Sequence, residues 1–146
     1  MHKSAQQSAD AAAQAMYARD RCARSLGIML LGVGPGSASM QMAVREDMVN
    51  SHNTCHGGII LSLADSTFAY AGNSHNRKAV AVTCSIEYMR PARVGDVLTA
   101  SGAEQGLAGR NGVYDIRVEN QKGELVALFR GKSTQIVGQV TDLNKT

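Results

Sequence analysis

The sequence predicts an α+β domain in which an antiparallel sheet of about five strands wraps around one buried helix. Residues 57–72 form an apolar run that is too long for a typical strand. Several runs in which apolar and polar residues partly alternate follow it, between turns that carry glycine or charge. Because the apolar helix has no polar face to give to water, we expect the sheet to enclose it.

The elements follow from the local pattern in chain order. The N-terminal segment, residues 1–27, contains good helix formers over 8–26 and a glycine stop at Gly27, which predicts a surface helix. A turn rich in glycine follows at 32–36. Alternation then predicts a strand at 37–44, residues 45–55 form a polar loop, and the central helix occupies 57–72. An antiparallel meander is predicted over 79–90, 96–104, 112–121 and 124–137.

Length and composition fit one globular domain over residues 1–146. The chain is 44% hydrophobic and 18% charged, and it contains no internal repeat. The net charge of +3 comes from 15 basic and 12 acidic residues that are spread along the chain, and only 4% of residues are aromatic. We therefore expect no nucleic-acid partner, because binding needs a basic stripe or aromatic stacking platforms.

Three cysteines without a CxxC pair are typical of a reduced intracellular protein. The first 24 residues lack the apolar core of a secretory signal, and no stretch approaches the roughly 20 apolar residues of a membrane helix. The expected location is the cytoplasm, with no membrane partner.

Asp65 is the one formally charged residue between Gly57 and Asn76. It lies in the middle of the predicted buried helix, where an ionised carboxylate is costly without partners. It is either a general base or nucleophile tuned by its surroundings, or a structural carboxylate that caps a backbone or pairs with an arginine.

The segment from Asn50 to Gly58 leads into that helix and carries a second candidate function. Gly57 and Gly58 leave free backbone N–H groups at the positive end of the helix dipole, with no side chain to obstruct a ligand. Such a helix start can hold a phosphate or stabilise an oxyanion, although two glycines can also serve a tight turn or close packing alone.

A metal site is a weaker interpretation of the same segment. His52 and His56 are four residues apart, and Cys55 and Asp65 are near in sequence. The HExxH form is missing and no second cluster supplies further ligands. We expect no metal and no cofactor.

Helix geometry limits how Gly57 and Asp65 can cooperate. Eight residues along one helix separate them by about 12 Å, whereas a base must lie within roughly 3 Å of its target or of a bridging water. If both groups act on one carbonyl, they come from different subunits of a two-fold dimer with two composite sites.

These residues carry a resemblance to a known family. The string NSHNTCHGGIILSLADSTFAYAGNS at 50–74, followed by IEYMRPARVGD at 86–96, GVYDIRVENQ at 112–121 and VALFRGKS at 126–133, resembles the hotdog-fold thioesterases of the PaaI type. The resemblance spans nearly the whole chain. It implies a five- or six-stranded sheet around a long helix, with dimers that usually pair into tetramers. It also implies hydrolysis of acyl-CoA, with phenylacetyl-CoA and its ring-hydroxylated relatives as substrates in phenylacetate degradation.

The resemblance also implies roles for individual residues. The helical carboxylate that serves as base or nucleophile falls on Asp65, and the glycine that polarises the thioester carbonyl falls on Gly57. His56 and Asn50 match neighbouring positions of the motif. Some related enzymes carry Ser or Thr on the next strand where this chain has Ala81. The further candidates for contact with substrate are Gly58, His52 and Thr83. We expect Thr83 and Ser85 to lie on the same face of the strand as Ala81, where either could replace the missing hydroxyl.

Two alternative functions remain open at this point. A dehydratase of the same architecture that acts on hydroxyacyl thioesters can use His52 and Asp65 around a polarised carbonyl. A non-catalytic acyl-CoA-binding module would bind ligand without turnover.

Overall fold

One antiparallel sheet of six strands surrounds a central helix in the computed structural model, which describes residues 3–145. The strands are hydrogen-bonded in the order β1-β2-β4-β5-β6-β3. They are β1 (Met29–Gly34), β2 (Ser37–Ala43), β3 (Arg77–Tyr88), β4 (Val97–Ala108), β5 (Asn111–Glu119) and β6 (Leu125–Gln139). The helices are α1 (Ala5–Tyr17), α2 (Arg21–Ser25) and α3 (Gly57–Gly72), with short 3-10 turns at Glu46–Met48 and Val140–Lys145.

The central helix α3 covers the same residues as the predicted apolar helix, and it contacts all six strands. Leu63 and Phe68 are buried in the core. The Phe68 ring meets Tyr114 edge-on at 5.5 Å and Phe129 at 5.6 Å between ring centroids. A Cβ on Gly131 would lie 2.9 Å from the Phe68 ring, so the strand needs glycine there to let the helix approach. These aromatic contacts hold α3 against the middle of the sheet.

One stripe of α3 stays uncovered in the single chain. Gly58 and Asp65 are exposed, and Leu61, Ser62 and Ala69 are partly exposed along the same face. Their spacing of three and four residues places them in one row along the helix. The sheet wraps around the helix as predicted, and this stripe is left open because the sheet ends at β3.

The N-terminal segment contains two helices instead of the single helix expected within residues 1–27. Helix α1 begins at a capping box in which Ser4 and Gln7 exchange side-chain hydrogen bonds with each other's backbone. The Asp20 carboxylate then accepts a hydrogen bond from the Ala23 N–H and starts α2. An N-cap aspartate begins a new helix, which explains the interruption at 18–20.

Strand β1 was not expected from the sequence, which suggested only a glycine-rich turn. It pairs antiparallel with β2 and contains an irregularity between Leu30 and Gly32. Met29 and Leu31 are exposed at this edge of the sheet. The strand is formed by its hydrogen bonds to β2, so its own glycine-rich sequence carries little strand signal.

Candidate active site

His56 and Gly57 form the start of α3. The Nδ1 atom of His56 accepts a hydrogen bond from the Gly58 N–H at 3.1 Å, so the imidazole is the N-cap of the helix. This bond makes Nδ1 an acceptor and leaves Nε2 to carry the proton in the neutral ring. Within the described chain, the Gly57 N–H has no hydrogen-bond partner. The helix therefore presents the Gly57 N–H as a free donor at its positive end, whereas the Gly58 N–H is already bonded to His56.

Tyr88 fixes the backbone of Gly57 from the other side. Its hydroxyl donates a hydrogen bond of 2.6 Å to the Gly57 carbonyl oxygen. A Cβ on residue 57 would lie 3.0 Å from that hydroxyl oxygen and 3.1 Å from Cζ of the ring. Burial, together with the nearby Cys55, raises the pKa of Tyr88, which keeps the hydroxyl protonated as a donor. The sequence analysis missed this residue, and its one signal was its place in the string at 86–96.

A depression of about 310 Å³ lies beside the helix start. Its lining is mostly apolar and comprises Thr54, Cys55, Gly57, Ile60, Tyr88, Met89, Arg90 and Pro91. Burial raises the pKa of the Cys55 thiol to about 11. The thiol is therefore protonated near neutral pH and is not a nucleophile in this depression.

Asn50 shapes the loop before α3 with its side-chain oxygen. That oxygen accepts from the His52 N–H at 2.9 Å, the Thr54 N–H at 3.3 Å and the Thr54 hydroxyl at 3.2 Å. Asn53 adopts a left-handed φ of 60° within the turn. The side-chain amide N–H₂ of Asn50 is thus the part that is free to meet a ligand. His52 is exposed on the same loop.

Asp65 lies on the uncovered stripe of α3, at the edge of a second depression of about 230 Å³. This depression is lined by Asp65, Phe68, Ala69, Gly72, Asn73, Ala79, Val80, Ala81 and Ser133. The Asp65 carboxylate has no hydrogen-bond or ion-pair partner among the described residues. Desolvation by its neighbours raises its pKa above the ordinary value of 3.8, although the side chain is still reached by solvent. Over residues 3–145, Asp65 neither caps a backbone nor pairs with an arginine, which are the two structural alternatives.

A β-bulge separates Thr83 from this second depression. Ala81 pairs with Ser133 and Thr83 pairs with Lys132, so Val82 is the extra residue. A bulge interrupts the alternation of side chains between the two faces of a sheet. Thr83 accordingly lies on the face of the exposed Lys132, and Ala81 lies on the face of the buried Ser133. The expectation that Thr83 and Ser85 share a face with Ala81 is wrong.

The single chain keeps the two predicted catalytic groups apart. The depression at Gly57 and the depression at Asp65 share no lining residue. The structure brings Asn50, His56, Gly57 and Gly58 together at the helix start, and it places Asp65 about two helical turns away.

Among the described residues, no three His, Cys, Asp or Glu side chains are grouped so that they can hold a metal ion. In the same part of the chain, no helix is long and apolar enough to span a membrane.

Comparison with known proteins identifies the family. The model of the thioesterase superfamily matches residues 52–127. The acyl-coenzyme A thioesterase PaaI of Escherichia coli (strain K12) is 47% identical over 129 residues, which are 88% of this chain and 92% of that protein. The solved structure of E. coli PaaI from the phenylacetic acid degradation operon has a TM-score of 0.91 at 46% identity, over 93% of this chain and 99% of that chain. A mutant structure of PaaI from Thermus thermophilus has a TM-score of 0.77 at 38% identity, over 80% and 100% of the two chains.

These relatives confirm three predictions made from the sequence: the resemblance to the PaaI type, the sheet of five to six strands around a central helix, and the class of enzyme. The chain belongs to the thioesterase superfamily.

Proposed function

We propose that this protein hydrolyses acyl-CoA thioesters at sites shared between two copies of the chain. The observation that carries the proposal is that α3 bears two groups whose chemistry is complementary. Gly57 presents a free N–H that can polarise a carbonyl, and Asp65 presents an unpartnered carboxylate with a raised pKa.

The uncovered edge of the fold supports a two-fold dimer. Strand β3 is the last strand in the sheet, and it exposes Val80 at 46% and Val82 at 52% of their surface. A long unprotected edge strand is suited to pairing with another chain. Antiparallel pairing of two β3 strands would bring the uncovered stripes of two α3 helices together in opposite directions. The Gly57 end of each helix would then approach Asp65 of the other.

Assembly beyond the dimer and location are part of the same proposal. Leu107 and Leu128 are exposed apolar residues outside the β3 edge, and a second contact between dimers would cover such residues in a tetramer. The three free cysteines suit a reducing compartment, which supports a cytoplasmic location.

Hydrolysis begins when the thioester carbonyl accepts a hydrogen bond from the Gly57 N–H at the positive end of the helix. Asp65 of the other copy takes a proton from water as the water oxygen bonds to the carbonyl carbon, or the carboxylate itself attacks that carbon. The carbon–sulfur bond then breaks and coenzyme A leaves as a thiolate. Its thiol has a pKa of about 8.5, so departure needs little help from an acid. On the nucleophilic route, water then hydrolyses the acyl-enzyme anhydride.

Neighbouring residues position these two groups. His56 caps the helix and Tyr88 holds the Gly57 carbonyl, so both fix the direction of the Gly57 N–H. Asn50 orders the loop and keeps amide donors free for a water or for the carboxylate. The raised pKa of Asp65 makes it a stronger base than an ordinary aspartate.

The acyl group is proposed to be phenylacetyl or a ring-hydroxylated relative. The support is the name and operon of the E. coli relative, together with the size of the apolar space. A cavity of about 150 Å³ can hold a benzene ring, and the depression beside Gly57 measures about 310 Å³.

The test is thiol release from aryl-acetyl, benzoyl and straight-chain acyl-CoA esters, with native protein, Asp65→Asn and the control Asp47→Asn. Asp47 is an exposed carboxylate that pairs with Arg45 and lines neither the Gly57 depression nor the Asp65 depression. We expect release by native protein and by the control, and a loss of about 10²-fold or more in folded Asp65→Asn. If no ester gives thiol, the proposal is wrong. Conversion of hydroxyacyl esters without thiol would then identify a dehydratase, and binding without conversion would identify a binding module.

A further inference from the structure

Glu104 carries a carboxylate onto the face of β4 that packs against α3. The preceding residues of that face are Leu98, Ala100 and Gly102, and the first two are fully buried. Because side chains alternate along a strand, Glu104 continues the same row, and its side chain is only 29% exposed. A charged group in an apolar row is costly unless other groups bind it.

Two side chains bind this carboxylate through one oxygen. The Nε2 atom of His75, in the turn after α3, lies 3.0 Å from Oε2 of Glu104. The Tyr114 hydroxyl donates a hydrogen bond of 3.5 Å to the same oxygen. Tyr114 lies directly opposite Glu104 in the register of β4 and β5. The carboxylate thus connects the end of the central helix with the middle of the sheet.

The backbone around Glu104 leaves its side chain little freedom. Gly36, in the turn between β1 and β2, has a φ of +77°, and a Cβ there would lie 2.7 Å from Oε2 of Glu104. The Gly36 carbonyl accepts a hydrogen bond of 2.8 Å from the Glu104 N–H. The Gly36 N–H donates to the Ser74 hydroxyl oxygen at 2.7 Å, and that hydroxyl donates to the Ala71 carbonyl at 2.7 Å.

Tyr114 extends these contacts to the depression that contains Asp65. Tyr114 is 1% exposed, and its ring meets the Phe68 ring edge-on at 5.5 Å. A Cβ on Gly72 would lie 4.0 Å from the Tyr114 ring, and the Ser133 hydroxyl donates a hydrogen bond to the Tyr114 oxygen. All three of these neighbours of Tyr114 line the Asp65 depression.

The hydrogen bonds of the Tyr114 hydroxyl have a fixed direction. Burial, together with the charge and the hydrogen bond of Glu104, raises the pKa of Tyr114 to about 12, and the bond from Ser133 opposes this rise. The hydroxyl therefore keeps its proton near neutral pH. It donates that proton to Glu104 and accepts from Ser133, so Glu104 decides where the hydroxyl points.

We propose that Glu104 is a positioning residue for the reaction at Asp65, and that it acts through Tyr114. Its carboxylate fixes the Tyr114 hydroxyl, and Tyr114 fixes three of the residues that line the Asp65 depression. Desolvation raises the pKa of Asp65, so a looser lining that admits water would make Asp65 a weaker base and displace it from the thioester. This inference rests on the proposed hydrolysis, and it adds a residue that does not itself touch the substrate.

The experiment measures kcat and KM for thiol release from phenylacetyl-CoA. Glu104→Ala removes the acceptor, and Tyr114→Phe removes the hydroxyl but keeps the ring. Because a small displacement of a catalytic group slows a reaction, we expect each variant to lower kcat about tenfold with KM nearly unchanged. Glu104→Gln keeps an acceptor oxygen and should recover most of the lost kcat. The double variant Glu104→Ala/Tyr114→Phe should be no slower than the slower single variant, since both changes break one connection.

The control variant is Glu119→Ala. Glu119 is a carboxylate of β5 that pairs with Arg117 at 2.6 Å and lines neither the Gly57 depression nor the Asp65 depression. We expect it to keep the native kcat.

A second readout does not depend on activity, namely the titration of the Asp65 carboxyl group followed by carbon NMR. Its midpoint should fall towards the ordinary value in Glu104→Ala and in Tyr114→Phe, and should stay native in Glu119→Ala. Tyr114→Phe keeps the Glu104 charge, so a fall in that variant does not come from a lost charge.

A native kcat and a native Asp65 midpoint in folded Glu104→Ala would overturn the inference. So would additive losses in the double variant, or a kcat of Glu104→Gln as low as that of Glu104→Ala. If Glu104→Ala does not fold, native values in Tyr114→Phe overturn it instead. If native protein hydrolyses no ester but the Asp65 midpoint falls in both variants and not in the control, the connection from Glu104 to Asp65 stands and the hydrolase proposal fails.

Discussion

Replacing Gly57 by alanine tests whether the position of the Gly57 N–H limits the rate of hydrolysis. The new Cβ would lie 3.0 Å from the Tyr88 hydroxyl oxygen and 3.1 Å from Cζ, so the neighbour must yield by a few tenths of an ångström. The Tyr88 hydroxyl is bonded to the Gly57 carbonyl at 2.6 Å, so this movement also shifts the peptide groups of Gly57. Removing an oxyanion donor costs about 10²–10³ in kcat, and we expect about tenfold for displacing one.

Alanine favours helix over glycine, so Gly57→Ala need not lower stability. The assay is therefore kcat from thiol release, measured together with the melting temperature. The matched control is Gly32→Ala in β1, where a Cβ would meet nothing within 4 Å. We expect kcat to fall in Gly57→Ala alone while both variants melt near the native temperature. A native kcat in folded Gly57→Ala would refute the reasoning that the position of this N–H limits the reaction.

Three further predictions concern the carboxylate, the core and a thiol. Because the pKa of Asp65 is raised on folding, its ionised form is disfavoured in the folded state, and the protein loses stability as pH rises from the unfolded pKa through the folded pKa. Asp65→Asn should therefore melt higher than native protein at pH 7 but not at pH 3, and native activity should fall in acid at a higher pH than for an ordinary aspartate. A lower melting temperature for Asp65→Asn at pH 7 would contradict this. Phe68 is 2% exposed, so Phe68→Ala should lower the free energy of unfolding, measured in urea, by about 3–5 kcal/mol. Phe68→Leu should lower it by less than about 1.5 kcal/mol. Equal losses in the two variants would contradict the packing described. At pH 8, iodoacetamide should modify the exposed Cys22 well before the buried Cys55, whose thiol pKa is about 11, and mass spectrometry of peptides would reveal the reverse order.

The central helix could be predicted because its signal is local and strong. Residues 57–72 form one apolar run with a single charge, and a run of that length and composition is compatible with little except a buried helix. The glycines at its start and Asp65 within it were also visible, because they interrupt the apolar pattern. The catalytic roles of these residues stay predictions.

The features that were missed depend on contacts between distant segments. Strand β1 exists because β2 is beside it, and its own sequence resembles a turn. The extra residue at Val82 reverses the faces of β3 from Thr83 onward, and nothing in the local alternation marks it. Tyr88 lies 31 residues from Gly57 in sequence, and only the fold brings its hydroxyl to the Gly57 carbonyl.

The central claim is that each active site takes Gly57 from one copy and Asp65 from the other. The most direct test mixes Asp65→Asn subunits with Gly57→Val subunits, after each inactive variant has been verified as folded and the hybrid dimers have been verified by native mass spectrometry. A hybrid dimer would carry one intact site and one doubly altered site, so random mixing of equal amounts should restore about one quarter of native thiol release. No recovery of thiol release in verified hybrid dimers would contradict a site that takes Gly57 from one copy and Asp65 from the other.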